Sequence, residues 1–156
     1  MRVRVIAVGT RMPAWVASAC DDYLTRLNSQ LPIALEEIAP AARSPATAAA
    51  TAIAAEGERL LKALRPGEFV SALDERGAQV STRELATWLG ARMQDGADLA
   101  FVIGGPDGLA PAVLARSRYT LALSRLTLPH ALARVLLTEQ LYRAHSILRG
   151  HPYHRD

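Results

Sequence analysis

Cysteine and long apolar runs are scarce in this sequence of 156 residues. A single cysteine, Cys20, cannot form an internal disulfide, and its place in a predicted amphipathic helix favours a small buried side chain over a reactive thiol. No apolar run approaches the ~20 residues that cross a bilayer. Residues 1–6 alternate between apolar and charged side chains, which is not the pattern of a signal peptide. We therefore expect a cytoplasmic protein without a membrane span.

The common nucleotide-binding and hydrolase motifs are also missing. Neither G-x-G-x-x-G nor G-x-x-x-x-G-K-[ST] occurs, which weighs against a dinucleotide-dependent dehydrogenase and a P-loop NTPase. The absence of G-x-S-x-G weighs against a serine hydrolase. No cysteine or acidic cluster stands at a usual ligand spacing from the histidines, so we expect no metal site. The four histidines lie in the last quarter of the chain: His130, His145, His151 and His154.

The charge balance is slightly basic. The chain has 18 basic and 15 acidic residues, for a net charge of +3, and Lys62 is its only lysine. A net charge of this sign favours a nucleic-acid partner only weakly. Arginine binds phosphate through its forked guanidinium, but a preference for arginine also follows from genomic base composition, and both explanations stay open.

Apolar periodicity predicts an alternation of strands and helices, which is typical of a parallel α/β domain. We predict one domain over residues 1–156, and we expect the last two strands to be central in the sheet because they are continuously apolar. A turn is predicted at residues 74–77. Strands are predicted at 2–8, 33–38, 68–73, 99–103 and 119–123, and helices at 14–27, 46–64, after the Ser81 and Glu84 capping box, at 111–116 and at 129–148.

The last predicted helix has an unusually broad apolar surface. Such a surface indicates either a fully buried core helix or a core helix that also forms a homodimer contact, and the pattern does not choose between them. The main stripe is Leu137, Leu141, Ala144 and Leu148, widened by Leu132, Val135 and Leu136.

Three loops are candidates for ligand binding, because ligands of parallel α/β sheets bind beyond the carboxyl ends of the strands. The first loop follows Leu73. The second is residues 104–108, where Gly104 and Gly105 either allow close approach of a ligand or only form a tight turn. The third, residues 123–129, mixes hydroxyls and leucines, which is typical of a wall around a partly apolar ligand such as adenine, or of an ordinary core crossover.

The C-terminal tail, residues 149–156, combines cations with an aromatic ring. Such a combination fits contacts with phosphate and stacking on an unpaired RNA base, whereas chain ends are also commonly frayed. Its proline and tyrosine favour a tail that docks on the rest of the protein.

Several motifs resemble one bacterial family when they are taken together and in order. They are FVIGGPDGL at residues 101–109, LTLPH at 126–130 with Arg134, EQLYRA at 139–144, and HPYH at 151–154. AVGT at 7–10 and the following Met12-Pro13 extend the likeness almost end to end. The chain resembles the ribosomal RNA large-subunit methyltransferase H family, which methylates N3 of a pseudouridine in 23S rRNA.

The resemblance implies a SPOUT-type fold, a parallel sheet with helices on both faces and a C-terminal trefoil knot over about residues 99–156. It implies a homodimer, S-adenosylmethionine as the methyl donor, and no metal. General folding rules would argue against the knot, since knots are very rare. The matching cofactor-binding positions are Leu73, Gly104, Gly105, Leu123, Ser124, Arg125, Leu126, Thr127 and Leu128.

The resemblance also implies a substrate and roles for the tail. The substrate is 23S rRNA of the large subunit, with assembled ribosomes preferred. His154 is the first candidate for proton handling or base contact, Arg155 for binding a developing anion or a phosphate, and Tyr153 for stacking on the target base from the partner subunit. Two positions depart from the family: His145, where an aromatic residue is common, and Asp156, where Glu is frequent.

Two other functions remain as alternatives. An RNA- or ribosome-binding protein of this fold without catalysis would keep the basic tail but lose the cofactor pocket, against which the intact 104–105 and 126–129 motifs argue. A small oxidoreductase would need a dinucleotide fingerprint, which the sequence lacks.

Overall fold

The computed structural model describes residues 1–155 except for the side chain of His154, so the predictions for that side chain and for Asp156 lie outside the described residues. Strands and helices alternate along the chain, as the periodicity predicts. The elements are β1 (Val3–Val8), α1 (Ala14–Asn28), β2 (Ile33–Ile38), α2 (Ala49–Ala63), β3 (Phe69–Gln79), α3 (Thr82–Asp95), β4 (Leu99–Ile103), α4 (Pro111–Arg116), β5 (Tyr119–Ala122), α5 (His130–Leu148) and a short 3₁₀ helix (Pro152–His154).

The strands form one parallel sheet in the order β2-β1-β4-β3-β5. The prediction of a central position is confirmed for β4, which pairs with β1 and β3 and is buried along its whole length. It is wrong for β5, which lies at the edge and pairs with β3 alone among the described strands. A continuous apolar run indicates that the faces of a strand are covered, but it does not specify how many strands flank it.

Helices cover both faces of the sheet, as predicted. One face packs against α1, α3 and α5, with Phe101, Leu89 and Leu137 fully buried between the layers. The other packs against α2 and α4, with Val102, Leu60 and Val113 buried there. Consecutive residues of a strand point their side chains to opposite faces, so β1 and β4 each supply residues to both apolar layers.

The predicted end of the third strand at Leu73 is wrong, because β3 continues to Gln79. The predicted turn at residues 74–77 coincides with a break in the pairing with β5, where Leu73 and Ala78 both pair with Leu121. The residues between them form an irregular excursion in which the backbone N–H of Arg76 donates to Asp74 Oδ1 at 2.9 Å. Asp and Gly favour turns and bulges alike, so local composition does not distinguish the two.

The predicted apolar stripe of α5 is only partly buried. Leu137, Leu141 and Ala144 are fully buried, whereas Leu148, the last residue of the helix, is 40% exposed. The widening residues Leu132, Val135 and Leu136 are half-buried, so α5 keeps an apolar surface that the chain itself does not cover.

The tail docks on α5, as its composition predicts. After α5 ends, the chain folds back, and the 3₁₀ helix packs against the preceding helix. The ring of Tyr153 lies 4.6 Å from that of Tyr142, centroid to centroid. Among the described residues, no helix has the length and apolar character needed to cross a membrane.

Candidate functional site

A cleft of about 820 Å³ opens at the carboxyl ends of β3, β4 and β5. The three loops predicted from the sequence converge there, and all of the predicted cofactor-binding residues except Arg125 line it. The loops lie side by side because β3 is the neighbour of both β4 and β5 in the sheet. The lining residues are Leu73, Asp74, Glu75, Arg76, Ile103, Gly104, Gly105, Pro106, Asp107, Gly108, Leu109, Leu121, Leu123, Ser124, Leu126, Thr127, Leu128, Pro129, His130 and Ala133.

The glycines after β4 form a tight turn on one wall of the cleft. A Cβ on Gly104 would lie 2.6 Å from the carbonyl carbon and oxygen of Gly108, far inside contact distance. The N–H of Gly108 donates to the carbonyl of Gly105 at 3.1 Å and closes the turn. Of the two interpretations of Gly104, the structure therefore supports the tight turn. Glycine is needed there because the backbone of residue 104 packs against the backbone of residue 108. The turn itself forms one wall of the cleft.

Gly105 is restricted from the other side, by a buried carboxylate. A Cβ on Gly105 would lie 2.9 Å from Glu56 Oε2, and Glu56, in α2, is only 2% exposed. Arg43, in the segment before α2, donates from Nη2 to Glu56 Oε1 at 2.6 Å and from Nε to Asp107 Oδ2 at 2.8 Å. The bond to Glu56 in particular raises the pKa of Arg43 above its ordinary value. One guanidinium thus joins α2 to the glycine turn.

The third loop places an apolar side chain at the cleft. Leu126 is 75% exposed although it lines the cleft, and its N–H donates to Ser124 Oγ at 2.9 Å. The neighbouring Arg125 is exposed and lies outside the lining. The loop therefore does not pack inward as an ordinary core crossover would, and it offers apolar surface together with hydroxyl and backbone groups.

Sequence reasoning missed the acidic and basic residues that follow Leu73. Asp74 and Arg76 form a bidentate pair, with Arg76 Nε and Nη2 each 3.0 Å from an Asp74 carboxylate oxygen. The hydrogen bond from Arg76 holds the pKa of Asp74 below its ordinary value. These polar residues directly follow a buried strand segment, and that position was a signal that could have assigned them to the site instead of to a turn.

His130 was likewise missed as part of the cleft. It is the first residue of α5 and lines the cleft together with Ala133. Its Nδ1 is buried and has no hydrogen-bond partner among the described residues. The LTLPH motif contains this histidine, but its pattern does not indicate whether the side chain faces the cleft or solvent.

Tyr153 and Arg155, the predicted tail residues whose side chains the structure describes, do not reach the cleft of their own chain. The Tyr153 hydroxyl donates to Glu139 Oε1 at 3.3 Å, and the guanidinium of Arg143 lies 4.9 Å from the Tyr153 ring centroid. Burial, followed by a hydrogen bond with Tyr23, raises the pKa of Tyr153 above its ordinary value. Even Glu139, where the tail folds back, lies roughly 13 Å of helix rise from His130. Arg155 is exposed, and none of the described tail residues lines the cleft.

A metal centre has no visible ligand set in the described part of the chain. No group of three or more His, Cys, Asp or Glu side chains comes together there in a geometry suited to a metal ion. His151 and His154, the H-x-x-H pair of the tail, belong to the 3₁₀ helix and its N-cap.

Comparison with known proteins identifies the family. The model of the family described as "Predicted SPOUT methyltransferase" matches residues 1–154. The chain belongs to the SPOUT methyltransferase family. Proteins named "Ribosomal RNA large subunit methyltransferase H" from Burkholderia mallei (strain SAVP1) and Burkholderia pseudomallei (strain 668) are each 51% identical over 155 residues, covering 99% of this chain and 99% of the relative.

Solved structures support the same fold for this SPOUT methyltransferase. A crystal structure described as "Probable Methyltransferase" from Bordetella pertussis Tohama I aligns with a TM-score of 0.59 at 24% identity, over 92% of this chain and 95% of that one. At this identity the likeness concerns the α/β fold alone. The prediction of a parallel α/β sheet with helices on both faces is confirmed.

Proposed function

We propose that this chain uses S-adenosylmethionine to methylate N3 of a pseudouridine in 23S rRNA, acting in the cytoplasm on assembled ribosomes. The observation that carries the proposal is the convergence of all three predicted ligand loops on one cleft. The name shared by relatives that are 51% identical supports rRNA as the substrate.

The cleft fits the proposed cofactor in size and chemistry. Its volume of about 820 Å³ lies within the range of roughly 300–1,000 Å³ typical of small-molecule sites. Leu126, Leu123 and Leu128 would contact the adenine and the thioether carbons. Backbone groups of the 104–108 turn and the hydroxyls of Ser124 and Thr127 would hold the polar parts, and Leu73 would close the side formed by β3. Arg125, which the resemblance also implies as a cofactor-binding residue, has its side chain outside this lining.

S-adenosylmethionine, when bound, supplies a methyl group on a sulfonium that is already a good leaving group. The chain's own residues therefore need chiefly to align that methyl with N3 and to help the imide lose its proton. His154 accepts or relays the proton, Arg155 stabilises the negative charge that develops on the base or holds a phosphate, and Tyr153 stacks on the base. No step requires a metal.

We propose that the active form is a homodimer in which the tail of one subunit serves the cleft of the other. Tyr153 is docked on α5, and no tail residue that the structure describes lines the cleft of its own chain. The half-buried Leu132, Val135 and Leu136 on α5 and the 59% exposed Trp15 on α1 provide apolar surface for a subunit contact. Burying such a surface against its copy is the common route to a two-fold dimer.

We further propose that residues 1–156 form one domain, with the C-terminal trefoil knot of the SPOUT fold over about residues 99–156. This region contains β4, β5, α5 and two of the three loops that line the cleft. A knot would fix those loops against each other, which suits a site built almost entirely from loops.

Methyl transfer to ribosomes tests the proposal directly. Ribosomes from a strain lacking this gene are incubated with the protein and labelled S-adenosylmethionine, and the rRNA nucleosides are analysed by mass spectrometry. We expect 3-methylpseudouridine. If the protein binds the cofactor but transfers no methyl group, the pseudouridine assignment is wrong, and another RNA target or a non-catalytic ribosome partner takes its place.

Mixed dimers test the role of the tail. Gly104→Val damages the cleft, whereas His154→Ala and Arg155→Ala should lower turnover without weakening cofactor binding. If the tail acts across the dimer, mixing Gly104→Val with Arg155→Ala subunits restores part of the activity, because one intact cleft then meets one intact tail. No recovery in a mixture confirmed to contain heterodimers would contradict action across the dimer.

A further inference from the structure

We propose that Arg43 is a positioning residue for cofactor binding: together with Glu56 and Asp107 it holds the 104–108 turn in the shape that forms the cleft wall. The inference rests on the proposed function, since it assumes that the cleft is the cofactor site. Arg43 belongs to neither the cleft lining nor the family motifs identified above.

The turn needs an external restraint. Three of its residues are Gly104, Gly105 and Gly108, and glycine has the largest backbone freedom to lose on ordering. The hydrogen bond from Gly108 to Gly105 closes the turn but does not anchor it to the rest of the protein. A wall that binds a ligand must hold its backbone groups in place before the ligand arrives, because ordering on binding costs affinity.

Two charged contacts supply that restraint from outside. The Glu56 carboxylate packs against Gly105, 2.9 Å from the position that a Cβ would occupy. The Arg43 guanidinium forms a 2.6 Å bond to Glu56 and a 2.8 Å bond to Asp107, two residues farther along the turn. Glu56 of α2 thus contacts the turn at Gly105, and Arg43 forms an ion pair with Asp107. Because Arg43 is itself bound to Glu56, both contacts attach the turn to α2.

The geometry requires arginine. Nε and Nη2 of Arg43 point to two different carboxylates, and Nη1 donates to the carbonyl of Ala41 at 3.2 Å. A planar guanidinium can satisfy such divergent acceptors at once, whereas an ammonium is a single point charge. The Arg43 side chain is 28% exposed, so the network lies near the surface but shields the almost fully buried Glu56.

The chain offers a matched control in Arg59. Its Nη1 donates to the carbonyl of Ala39 at 2.7 Å, which ties the start of the same irregular segment to the same helix. Arg59 forms no hydrogen bond or ion pair with the described 104–108 turn. Replacing Arg59 therefore loosens the segment in a similar way but leaves the restraint on the cleft wall in place.

The test measures the Kd for S-adenosylmethionine by calorimetry on the full-length protein and hydrogen exchange at the Gly108 amide by NMR. We expect Arg43→Ala to raise the Kd on the order of tenfold or more and to speed exchange at Gly108, because a charge-assisted contact that orders the wall is lost. Arg43→Lys should recover part of the affinity. Arg59→Ala should stay within about twofold of wild type in both measurements.

A second variant covers the case in which Arg43→Ala does not fold. Asp107→Asn leaves the Arg43–Glu56 pair intact and should weaken binding and speed Gly108 exchange in the same direction. Unchanged Kd and exchange in the folded Arg43→Ala or Asp107→Asn protein would overturn the inference, as would an equal effect of Arg59→Ala. A wild-type protein that fails to bind S-adenosylmethionine would instead contradict the proposed function itself.

Discussion

Two arginines on the same face of the sheet each hold two carboxylates, but at opposite ends of the strands. Arg4, near the start of β1, donates to Glu36 of β2 at 2.6 Å and to Glu68, just before β3, at 2.7 Å. Arg43 holds Glu56 and Asp107 near the carboxyl ends. Arg4 is 5% exposed and also donates to the carbonyl of Ala63, at the end of α2.

The difference lies in what each arginine connects. The Arg4 cluster joins β1, β2, the start of β3 and the end of α2, which are all parts of the scaffold. The Arg43 cluster joins a helix to a glycine turn that lines a cleft. In parallel α/β proteins the carboxyl ends of the strands carry the ligand sites, so the same chemical arrangement stabilises the fold at one end and orders a functional loop at the other.

The largest effect is expected when the Arg4 cluster is broken. Arg4→Met leaves Glu68, 2% exposed, without its charged partner, and breaking a buried pair in this way costs about 3–5 kcal/mol of unfolding free energy. Denaturant unfolding measures the loss, and the folded fraction should bind the cofactor normally. Arg26→Ala, which removes an exposed pair with Asp22 and contacts 6.0 Å from the rings of Tyr23 and Tyr142, is the control and should cost less than about 1 kcal/mol. Weakened cofactor affinity in folded Arg4→Met would contradict the conclusion that the Arg4 cluster stabilises the fold without affecting the cleft.

The converse change acts on the cleft. Gly104→Val would drive a side chain into the backbone of Gly108, so the turn must open. We expect a loss of cofactor affinity of about 100-fold, or roughly 2.7 kcal/mol, with the circular dichroism spectrum retained. Gly90→Ala is the control. Its new methyl group would contact only the flexible end of the Leu148 side chain, where α3 packs against α5. Wild-type affinity of Gly104→Val would remove the turn from the cofactor site.

A buried histidine far from the cleft should affect stability and not binding. His145 is 3% exposed, and burial lowers its pKa below the ordinary value of 6.5. The unfolded chain therefore binds the proton more readily, so stability is full above about pH 6.5 and falls as the pH decreases below it, by at most about 1.4 kcal/mol per pH unit. His145→Phe should flatten this dependence in thermal or urea unfolding between pH 7 and pH 5. A slope equal to wild type would assign the pH dependence to other groups.

The smallest effect is expected at Arg125. Its side chain lies outside the cleft lining although both neighbours, Ser124 and Leu126, line it. Arg125→Ala should change the cofactor Kd by less than about twofold, as expected for a surface substitution. Calorimetry decides this, with Leu126→Ala as the matched comparison that should bind more weakly. A large loss at Arg125 would support the cofactor-binding role that the resemblance implies for it.

The order of the elements and the cleft loops were predictable because they depend on local pattern. Buried β4 is continuously apolar, the capping box Ser81 and Glu84 starts α3, and glycines follow β4 directly. The edge position of β5 was not predictable. An apolar sequence indicates that both faces of a strand are covered by other elements, but it does not indicate how many strands pair with it. The extension of β3 past Asp74 was missed for a related reason, because turn-forming residues also form bulges.

By itself the sequence determined the alternation of strands and helices, the three loops at the strand ends and, through its ordered motifs, the family. Only the tertiary structure decided that Gly104 serves a turn, that the tail lies along α5 away from its own cleft, and that Arg43 bridges Glu56 and Asp107. The first set follows from periodicity over a few residues. The second depends on contacts of the folded backbone, from Gly104 against Gly108, four residues away, to Arg43 against Asp107, 64 residues away, and residue pattern alone does not specify them.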